Sequence, residues 1–463
     1  MGRDAPTRTR ESTDQNPGFD ALVSSAVDSR AVKTLVIGTG GREHALALAL
    51  SRDPQVSEVH AAPGNPGIGA IATLHDVDPM DGAAVAALAQ QIGADLVVVG
   101  PEAPLVAGVA DAVTEAGIAV FGPSKEAAQL EGSKAFSKAV MEAAGVPTAR
   151  SFTCSSPAEA ADALDAFGAP YVVKDDALAA GKGVVVTNDR AEALAHAAEC
   201  GRVVIEEFLK GPEVSVFAVC DGATAYALQP AQDFKRIFDG GRGGNTGGMG
   251  SYSPLPWAPA DLRDLVIATV VQPTLDEMAR RGTPFRGCLY VGLALTDAGP
   301  RVIEFNVRFG DPDIQPVLAL LESGAGELLL AAAEGRLHEV EPPVFRDGAS
   351  VTVVLASKGY PESSSKGDVI SGVGNANLVS DVDVIHAGTA RVDASTPEEP
   401  THRHLVTAGG RVLAVRAVGY DIADARSRAY AAADLISFPG MQRRSDIAAE
   451  PLGVIEGAAV LEG

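Results

Sequence analysis

Lys174 and Lys182 flank a glycine-containing loop in Y-V-V-K-D-D-A-L-A-A-G-K-G-V-V-V-T, residues Tyr171 to Thr187. Backbone N–H groups freed by glycine, with two ammonium groups beside them, suit phosphate oxygens. Taken alone, the stretch reads equally well as a surface hairpin with solvated lysines. Further on, Glu304 and Asn306 alternate in V-I-E-F-N-V-R-F-G-D-P. Alternate residues of a strand share a face, so two hard oxygen donors would lie side by side, an arrangement that suits Mg²⁺ held jointly with nucleotide phosphates. Glu206 and Glu207 close the apolar run Val203 to Leu209. Paired acids are commonly solvated or ion-paired, but directly after an apolar strand they more often line a cleft.

Three loops near the N-terminus have special compositions. Gly38-Thr39-Gly40-Gly41-Arg42-Glu43-His44 follows an apolar run and has the outline of a dinucleotide fingerprint. Its third glycine would fall on Glu43, and the next strand ends in Ala61-Ala62-Pro63 with no acid for a ribose hydroxyl, so a nicotinamide cofactor is rejected. A helix start after glycines still favours a phosphate monoester. Pro63-Gly64-Asn65-Pro66-Gly67 is the second loop and Gly100-Pro101-Glu102-Ala103-Pro104-Leu105 the third. Glu102 could accept hydrogen bonds from ribose hydroxyls or an amine; otherwise it is a solvated turn acid.

These residues must be held by several domains, because 463 residues exceed one core. From Ala31 to Pro123 strand and helix alternate: the continuous apolar runs Ala31 to Gly38 and Leu96 to Gly100 are separated by the helical patterns Arg42 to Ser51 and Gly82 to Ile92. That is a parallel α/β layer with ligands beyond its strand C-termini. A helix carrying Lys134 and Lys138 on one face follows. Next come helices near Ala158 to Phe167 and Arg190 to Cys200, two strands around Asp221-Gly222, and a glycine-rich loop, Asp239 to Ser251, expected to be flexible until a ligand orders it. A helix from Ala260 to Arg281 leads to strands Leu289 to Thr296 and Arg301 to Phe305. Beyond a linker, Glu339 to Gly348, three strands and a helix near Ile422 to Ile436 form an α+β cap without evident chemistry.

The formal charge of −23 disfavours nucleic acid or an anionic membrane, so an anionic ligand needs a local basic island. No apolar run approaches the roughly eighteen residues of a membrane span. Four scattered cysteines read as reduced, mostly buried thiols of a cytoplasmic protein, and His402-Arg403-His404 as two rings on one strand face rather than a metal site. The polar first thirty residues contain no apolar signal core and read as a disordered extension, in which Phe19 to Val27 could form a short docking helix.

The order G-x-G-G-R-E-H-A, P-G-N-P-G, G-P-E-A-P-L, S-K-A-F, L-A-A-G-K-G-V, V-I-E-E-F-L, Q-D-F-K-R, N-T-G-G-M-G-S-Y-S-P, V-I-E-F-N-V-R-F-G-D-P resembles the phosphoribosylamine-glycine ligases of the ATP-grasp superfamily, over Lys33 to about Ala449. The resemblance implies a multidomain α/β and α+β fold. Its parts would be the extension 1–30, a Rossmann-like parallel domain at 31–123, an ATP-grasp domain at 124–338 with a lid near 147–214, and the cap at 339–463. It also implies ATP-dependent joining of glycine to phosphoribosylamine through a glycyl phosphate, with Mg²⁺ or Mn²⁺, by a cytoplasmic monomer in transient contact with other enzymes of purine synthesis.

Carried over motif by motif, Lys134 and Lys174 would meet ATP phosphates under a lid containing Gly181, Lys182 and Gly183. Glu206, Glu207 and Leu209 would form the adenine-side hinge, Glu213 would bind ribose, and Glu304 and Asn306 the metal. Gly40, Gly41, Asn65, Gly67 and Glu102 would receive phosphoribosylamine, while Asn245, Thr246, Gly247, Gly248, Met249, Arg308 and Asp311 would lie where glycine is activated, with Lys174, Arg308 and Asp311 serving the chemistry. Departures from the family pattern are Ala177 for glycine, Gly244 for proline and Asp313 for glutamate. If position 177 needs positive φ, alanine adds about 1 kcal/mol of strain. No proposed ligand is lost, so activity is expected, with an altered KM. A catalytically silent nucleotide binder would lack Glu304, Asn306 or Lys174, and another ATP-grasp ligase would lack the N-terminal loops.

Overall fold

A computed structural model describes residues 1–2, 31–178, 183–393 and 403–449; the N-terminal extension with its suggested docking helix lies outside them. The N-terminal layer is a parallel sheet in the order Thr73–Leu74, Val56–Pro63, Val32–Gly38, Leu96–Val99, Ala119–Phe121. Leu35, Val36, Ile37, Val97 and Val98 have no exposed surface, which is why these strands read as unbroken apolar runs. Each such side chain contributes about 1.5–3 kcal/mol on burial. The helix Gly82–Ile92 starts where Asp81 accepts from the Ala84 N–H and stops at Gly93, whose φ of 66° few other residues tolerate. All three special loops leave this sheet from its C-terminal edge.

Two antiparallel sheets follow. The first, in the order Ser151–Cys154, Val203–Glu206, Tyr171–Asp175, Val184–Thr187, contains the lysine-bearing hairpin and packs on helices Pro157–Phe167 and Arg190–Glu199 around a small core of its own. In the second, Ala225–Ala227, Glu213–Asp221, Arg286–Thr296 and Gly299–Asn306 lie side by side. The expected helix from 260 to 281 is built as Leu262–Val266, a π turn at Ile267–Val271 and Gln272–Arg280. Pro273 has no N–H for the regular ladder, and the wider turn before it fits that loss.

The cap differs most from expectation. Its sheet runs Gln232–Asp233, Gly250–Ser253, Ala349–Ala356, Arg411–Gly419, Val382–His386, so two strands come from sequence assigned to the central domain. Gly250 is needed there, because a Cβ would lie 2.6 Å from the Thr352 carbonyl oxygen. The glycine-rich stretch before it forms a hairpin, Arg236–Phe238 with Arg242–Asn245, in place of the expected flexible loop. Asp446 accepts from the Gly240 N–H and Asp239 accepts from the Ser445 N–H, which fastens that hairpin to the chain's C-terminal part. A second hairpin pairs Thr389–Asp393 with Arg403–Thr407. His404 lies on it, and its intended partner His402 is outside the described residues.

Candidate active site

Glu304 and Asn306 end the strand Gly299–Asn306 and lie across from Gly292 and Tyr290. Burial, the strongest influence on Glu304, pushes its pKa up, but the fields of Lys235, Lys174, Lys134 and Arg308 together outweigh it and hold the carboxyl below its usual range. Four cations therefore act on this carboxyl, the local basic island that a chain of charge −23 needs. Lys235 is held by Glu213 at 2.6 Å and lies 3.8 Å from Asp233. Burial would discharge this ammonium, yet Asp233, Glu213, Tyr290 and Glu304 raise its pKa well above normal.

Lys174 is 3% exposed on the strand Tyr171–Asp175. Its Nζ donates to the Ile303 carbonyl at 2.7 Å and meets Glu206 at 2.9 Å, and the other Glu206 oxygen lies 3.1 Å from Lys138. Burial lowers the Lys138 pKa to about 8 despite that partner. Lys134 opens the helix Lys134–Ala144, capped by Ser133, and donates to the Ala177 carbonyl at 3.2 Å. Asp176 fixes the loop's first turn by accepting from the Ala135 N–H at 2.8 Å and the Ser133 hydroxyl at 3.1 Å. Among the described non-glycine residues only Asp381 and Ala448 have positive φ, so Ala177 carries no such strain. Gly183 closes the loop by accepting from the Asp175 N–H at 2.7 Å; Gly181 and Lys182 lie outside the described residues.

At the hinge, Glu207 binds Arg150 and Arg301, each at 2.8 Å. The Glu206 and Glu207 carboxylates are thus both in ion pairs, Glu206 is paired in the sheet with Ser151 on one side and Val172 on the other, and the Glu207 N–H donates to the Arg150 carbonyl at 3.0 Å. Glu213, the proposed ribose ligand, is the partner of Lys235.

The third N-terminal loop reaches Arg308 through Glu102. Its Nε lies 3.3 Å from Glu102, and its Nη2 lies 2.9 Å from Glu131 and 3.3 Å from Asn306 Oδ1. Glu102 opens the helix Glu102–Ala107. Burial tends to raise its pKa, and Arg308 and Arg42 outweigh that and lower it; in Glu131 burial prevails and the pKa is raised. Glu43 accepts from the Gly40 N–H at 2.6 Å and from Arg42 at 2.6 Å, so the residue that broke the dinucleotide fingerprint supplies the loop with an internal anion. Cβ atoms on Gly40 and Gly41 would lie 3.7 Å and 3.2 Å from the two Asp311 carboxylate oxygens, which places that acid beside the first loop.

The second loop has a different part from the one expected. Asn65 donates to the carbonyls of Thr39 and His386 and accepts from the N–H groups of Gly67 and Ile68, so its side chain is fully engaged within the protein. The Gly64 and Gly69 N–H groups are bonded to the Gly38 and Asn65 carbonyls. A Cβ on Gly67 would lie 2.4 Å from His44 and 2.6 Å from His386. Asn65 and Gly67 thus fix the loop against the cap instead of presenting donors to a substrate. A cavity of about 510 Å³ beside the loop is lined by Pro66, Ala70, Leu74, Ala390 and Arg391 among others.

Comparison with known proteins decides what this arrangement belongs to. Residues 32–131, 132–314 and 350–450 match the N domain, the ATP-grasp (A) domain and the C domain of phosphoribosylglycinamide synthetase. The chain belongs to the phosphoribosylglycinamide synthetase family. A phosphoribosylamine–glycine ligase of Streptomyces coelicolor is 61% identical over 425 residues, covering 91% of this chain and all of the relative. One from Mycobacterium tuberculosis is 53% identical, covering 90% of this chain and 97% of the relative. The crystal structure of a phosphoribosylamine–glycine ligase from Thermotoga maritima superposes with a TM-score of 0.77 at 35% identity, over 90% of this chain and all of that one. A Hydrogenobacter thermophilus biotin carboxylase domain, 17% identical with a TM-score of 0.66 over 89% of this chain and 91% of that one, shares the fold.

At the departures from the family pattern, the structure shows the surroundings of residues 244 and 313. Gly244 lies in the paired strand Arg242–Asn245, and Asp313 accepts from Ser215 at 2.6 Å in a buried site. Met249 is buried in the core. Glu131, Lys235, Arg42 and Arg411 escaped the sequence reading. Lys235 stood inside the quoted Q-D-F-K-R motif, a signal available but not assigned; Glu131 had none, because its burial depends on the fold.

The junction of first loop and cap gives a pH prediction. His44 Nδ1 accepts from the His386 N–H at 2.7 Å, and His386 Nδ1 lies 3.0 Å from Thr389 Oγ1. Burial, aided by nearby positive charge, lowers their pKa values to about 3 and about 4. Above about pH 6.5 both folded and unfolded forms are neutral and nothing is lost. As pH falls from there toward the folded values, only the unfolded imidazoles take up protons, and each removes about 2 kcal/mol of stability by pH 5. Urea midpoints at pH 7 and pH 5 should therefore fall less in His44→Asn, whose amide oxygen can accept the same hydrogen bond, than in the parent. Equal falls would refute the account.

Proposed function

We propose that the chain joins glycine to 5-phosphoribosylamine with ATP, releasing glycinamide ribonucleotide, ADP and phosphate in purine synthesis. The observation that carries this reading is Glu304 and Asn306 on one strand face, with Arg308 3.3 Å from Asn306 Oδ1 and the fields of Lys235, Lys174, Lys134 and Arg308 holding the Glu304 carboxyl below its usual range. Attack by the glycine carboxylate on the γ-phosphoryl group brings two anions together, and these cations offset their repulsion. The product, glycyl phosphate, hydrolyses in water, so we assign the exclusion of water to a lid borne by the strands Tyr171–Asp175 and Val184–Thr187. The amine of phosphoribosylamine, received near Gly40, Gly41 and Glu102, then attacks the acyl carbon and phosphate leaves.

Glu304 and Asn306 fit Mg²⁺ or Mn²⁺: an ionised carboxylate and an amide oxygen are hard donors on one strand face. Oxygens of the nucleotide phosphates would complete the shell. The ion would supply positive charge to the phosphates. A cytoplasmic setting accords with four free cysteines, three of them buried.

The test is ADP release by the purified protein with Mg-ATP, glycine and freshly generated phosphoribosylamine, each omitted in turn. Turnover that requires all three is expected. ADP release indifferent to the ribosylamine, or none under any combination, would overturn the reading.

A further inference from the structure

We propose that Arg411 and Tyr360 of the cap are positioning residues for the carboxylate substrate, clamping the glycine-rich segment 245–248 onto Asp311. The proposal rests on the ligase reading above, in which that junction receives glycine.

Arg411 opens the cap strand Arg411–Gly419 and is half-buried. Its Nη1 donates to the backbone carbonyls of Gly247 and Asp311 and lies 3.5 Å from that of Gly248, while Nη2 meets Asp311 Oδ2 at 3.0 Å. The opposite side of the Gly247 residue is held as well, its N–H donating to the Tyr360 hydroxyl at 3.0 Å. The cap therefore fixes both polar backbone groups of Gly247. Asp311 is fixed at its other oxygen by Gln315 Nε2 at 2.8 Å, and it borders Gly40 and Gly41. One guanidinium thus ties together a cap strand, the glycine-rich segment and the acid beside the first loop.

The glycines accord with this clamp. A Cβ on Gly247 would lie 2.9 Å from Arg411 Cζ, and one on Gly410 would lie 2.3 Å from the Tyr360 ring. Neither residue has positive φ, so close approach and not backbone freedom is at issue: a side chain at Gly247 would displace the Arg411 guanidinium, and one at Gly410 would meet the Tyr360 ring. A segment so rich in glycine loses much entropy on ordering. Holding its backbone before the substrate arrives removes that cost from the binding step. A planar guanidinium can serve several acceptors at fixed angles, whereas a lysine ammonium is a point donor on a flexible stem.

The experiment compares wild type with Arg411→Lys, Arg411→Ala and Tyr360→Phe by steady-state ADP release, varying glycine and ATP separately, with thermal melting of each protein. Arg411→Lys should raise KM for glycine about tenfold or more and leave KM for ATP within about twofold, with a melting temperature close to wild type. Tyr360→Phe should move the same constant in the same direction by a smaller factor. If Arg411→Ala does not fold, Arg411→Lys and Tyr360→Phe still decide. A wild type without glycine-dependent turnover sinks the ligase reading and the clamp with it. A wild type that needs glycine, with variants whose two KM values move together or not at all, sinks the clamp alone.

Discussion

Glu304→Ala is expected to lower ADP release about 10²- to 10³-fold, the usual loss when one electrostatic element of a preorganised site is removed. The argument turns on the sign of the surroundings. In the parent, the fields of Lys235, Lys174, Lys134 and Arg308, each of which also has a partner of its own, hold the Glu304 carboxyl below its usual range although burial opposes that. Removing it leaves the surroundings more positive. Metal-free nucleotide should then bind at least as tightly as before, because phosphate replaces the lost counter-charge, while turnover collapses because the hard ligand beside Asn306 is gone. Binding and turnover therefore move apart. Calorimetric titration with ADP in chelator, beside ADP release over a range of Mg²⁺ and Mn²⁺ concentrations, measures both. A variant that loses nucleotide affinity and turnover in the same proportion, or keeps activity within about fivefold, would show that Glu304 is not the metal ligand.

Fold elements were legible where one local rule decided them. The strands Val32–Gly38 and Leu96–Val99 are buried on both faces and read as continuous apolar runs. The helices Pro157–Phe167 and Arg190–Glu199 begin at the side-chain caps Ser156 and Asp189. The strand Gly250–Ser253 was illegible for the opposite reason. G-S-Y-S is short and mostly polar, and it becomes a strand because Ala349–Ala356, a hundred residues on, offers it a partner. The same long-range pairing blurs the boundary drawn at 338/339.

The site divides in a similar way. Glu304 and Asn306 were visible as hard donors at strand spacing and Lys174 as a cation beside a glycine-containing loop, while Arg308 was singled out through the family resemblance. What each one faces was not visible. Lys174 meets Glu206 and a carbonyl, Glu213 is held by Lys235, and Asn65 is engaged by four backbone groups. Pairings of this kind depend on side chains from distant segments. For the same reason a cap that looked inert in sequence reaches the site through Arg411.

Arg308→Met is expected to cost about 3–5 kcal/mol of stability as well as activity, because it leaves two acids without their cation in a buried setting. Glu131 and Glu102 meet the guanidinium at 2.9 Å and 3.3 Å, and the field of Glu102 already helps to raise the Glu131 pKa. Without Arg308 both desolvation and like charge act on Glu131 with little opposition, so its folded pKa should rise further. A carboxyl whose folded pKa lies above its unfolded value binds more protons in the folded state, so it favours folding at low pH and loses that contribution as pH rises through the folded value. The deficit of the variant relative to the parent should accordingly be larger at pH 8 than at pH 5. Replacing Glu131 by glutamine in the same chain removes the stranded charge and keeps an acceptor for the Val307 N–H, which Glu131 now binds at 2.8 Å. Arg308→Met/Glu131→Gln should therefore regain much of the stability and none of the turnover, since the cation facing Glu304 is still missing. Urea denaturation at the two pH values, beside ADP release, tests both halves. A deficit that ignores pH would mean Glu131 is not the stranded acid, and activity returning with stability would mean Arg308 serves the fold alone.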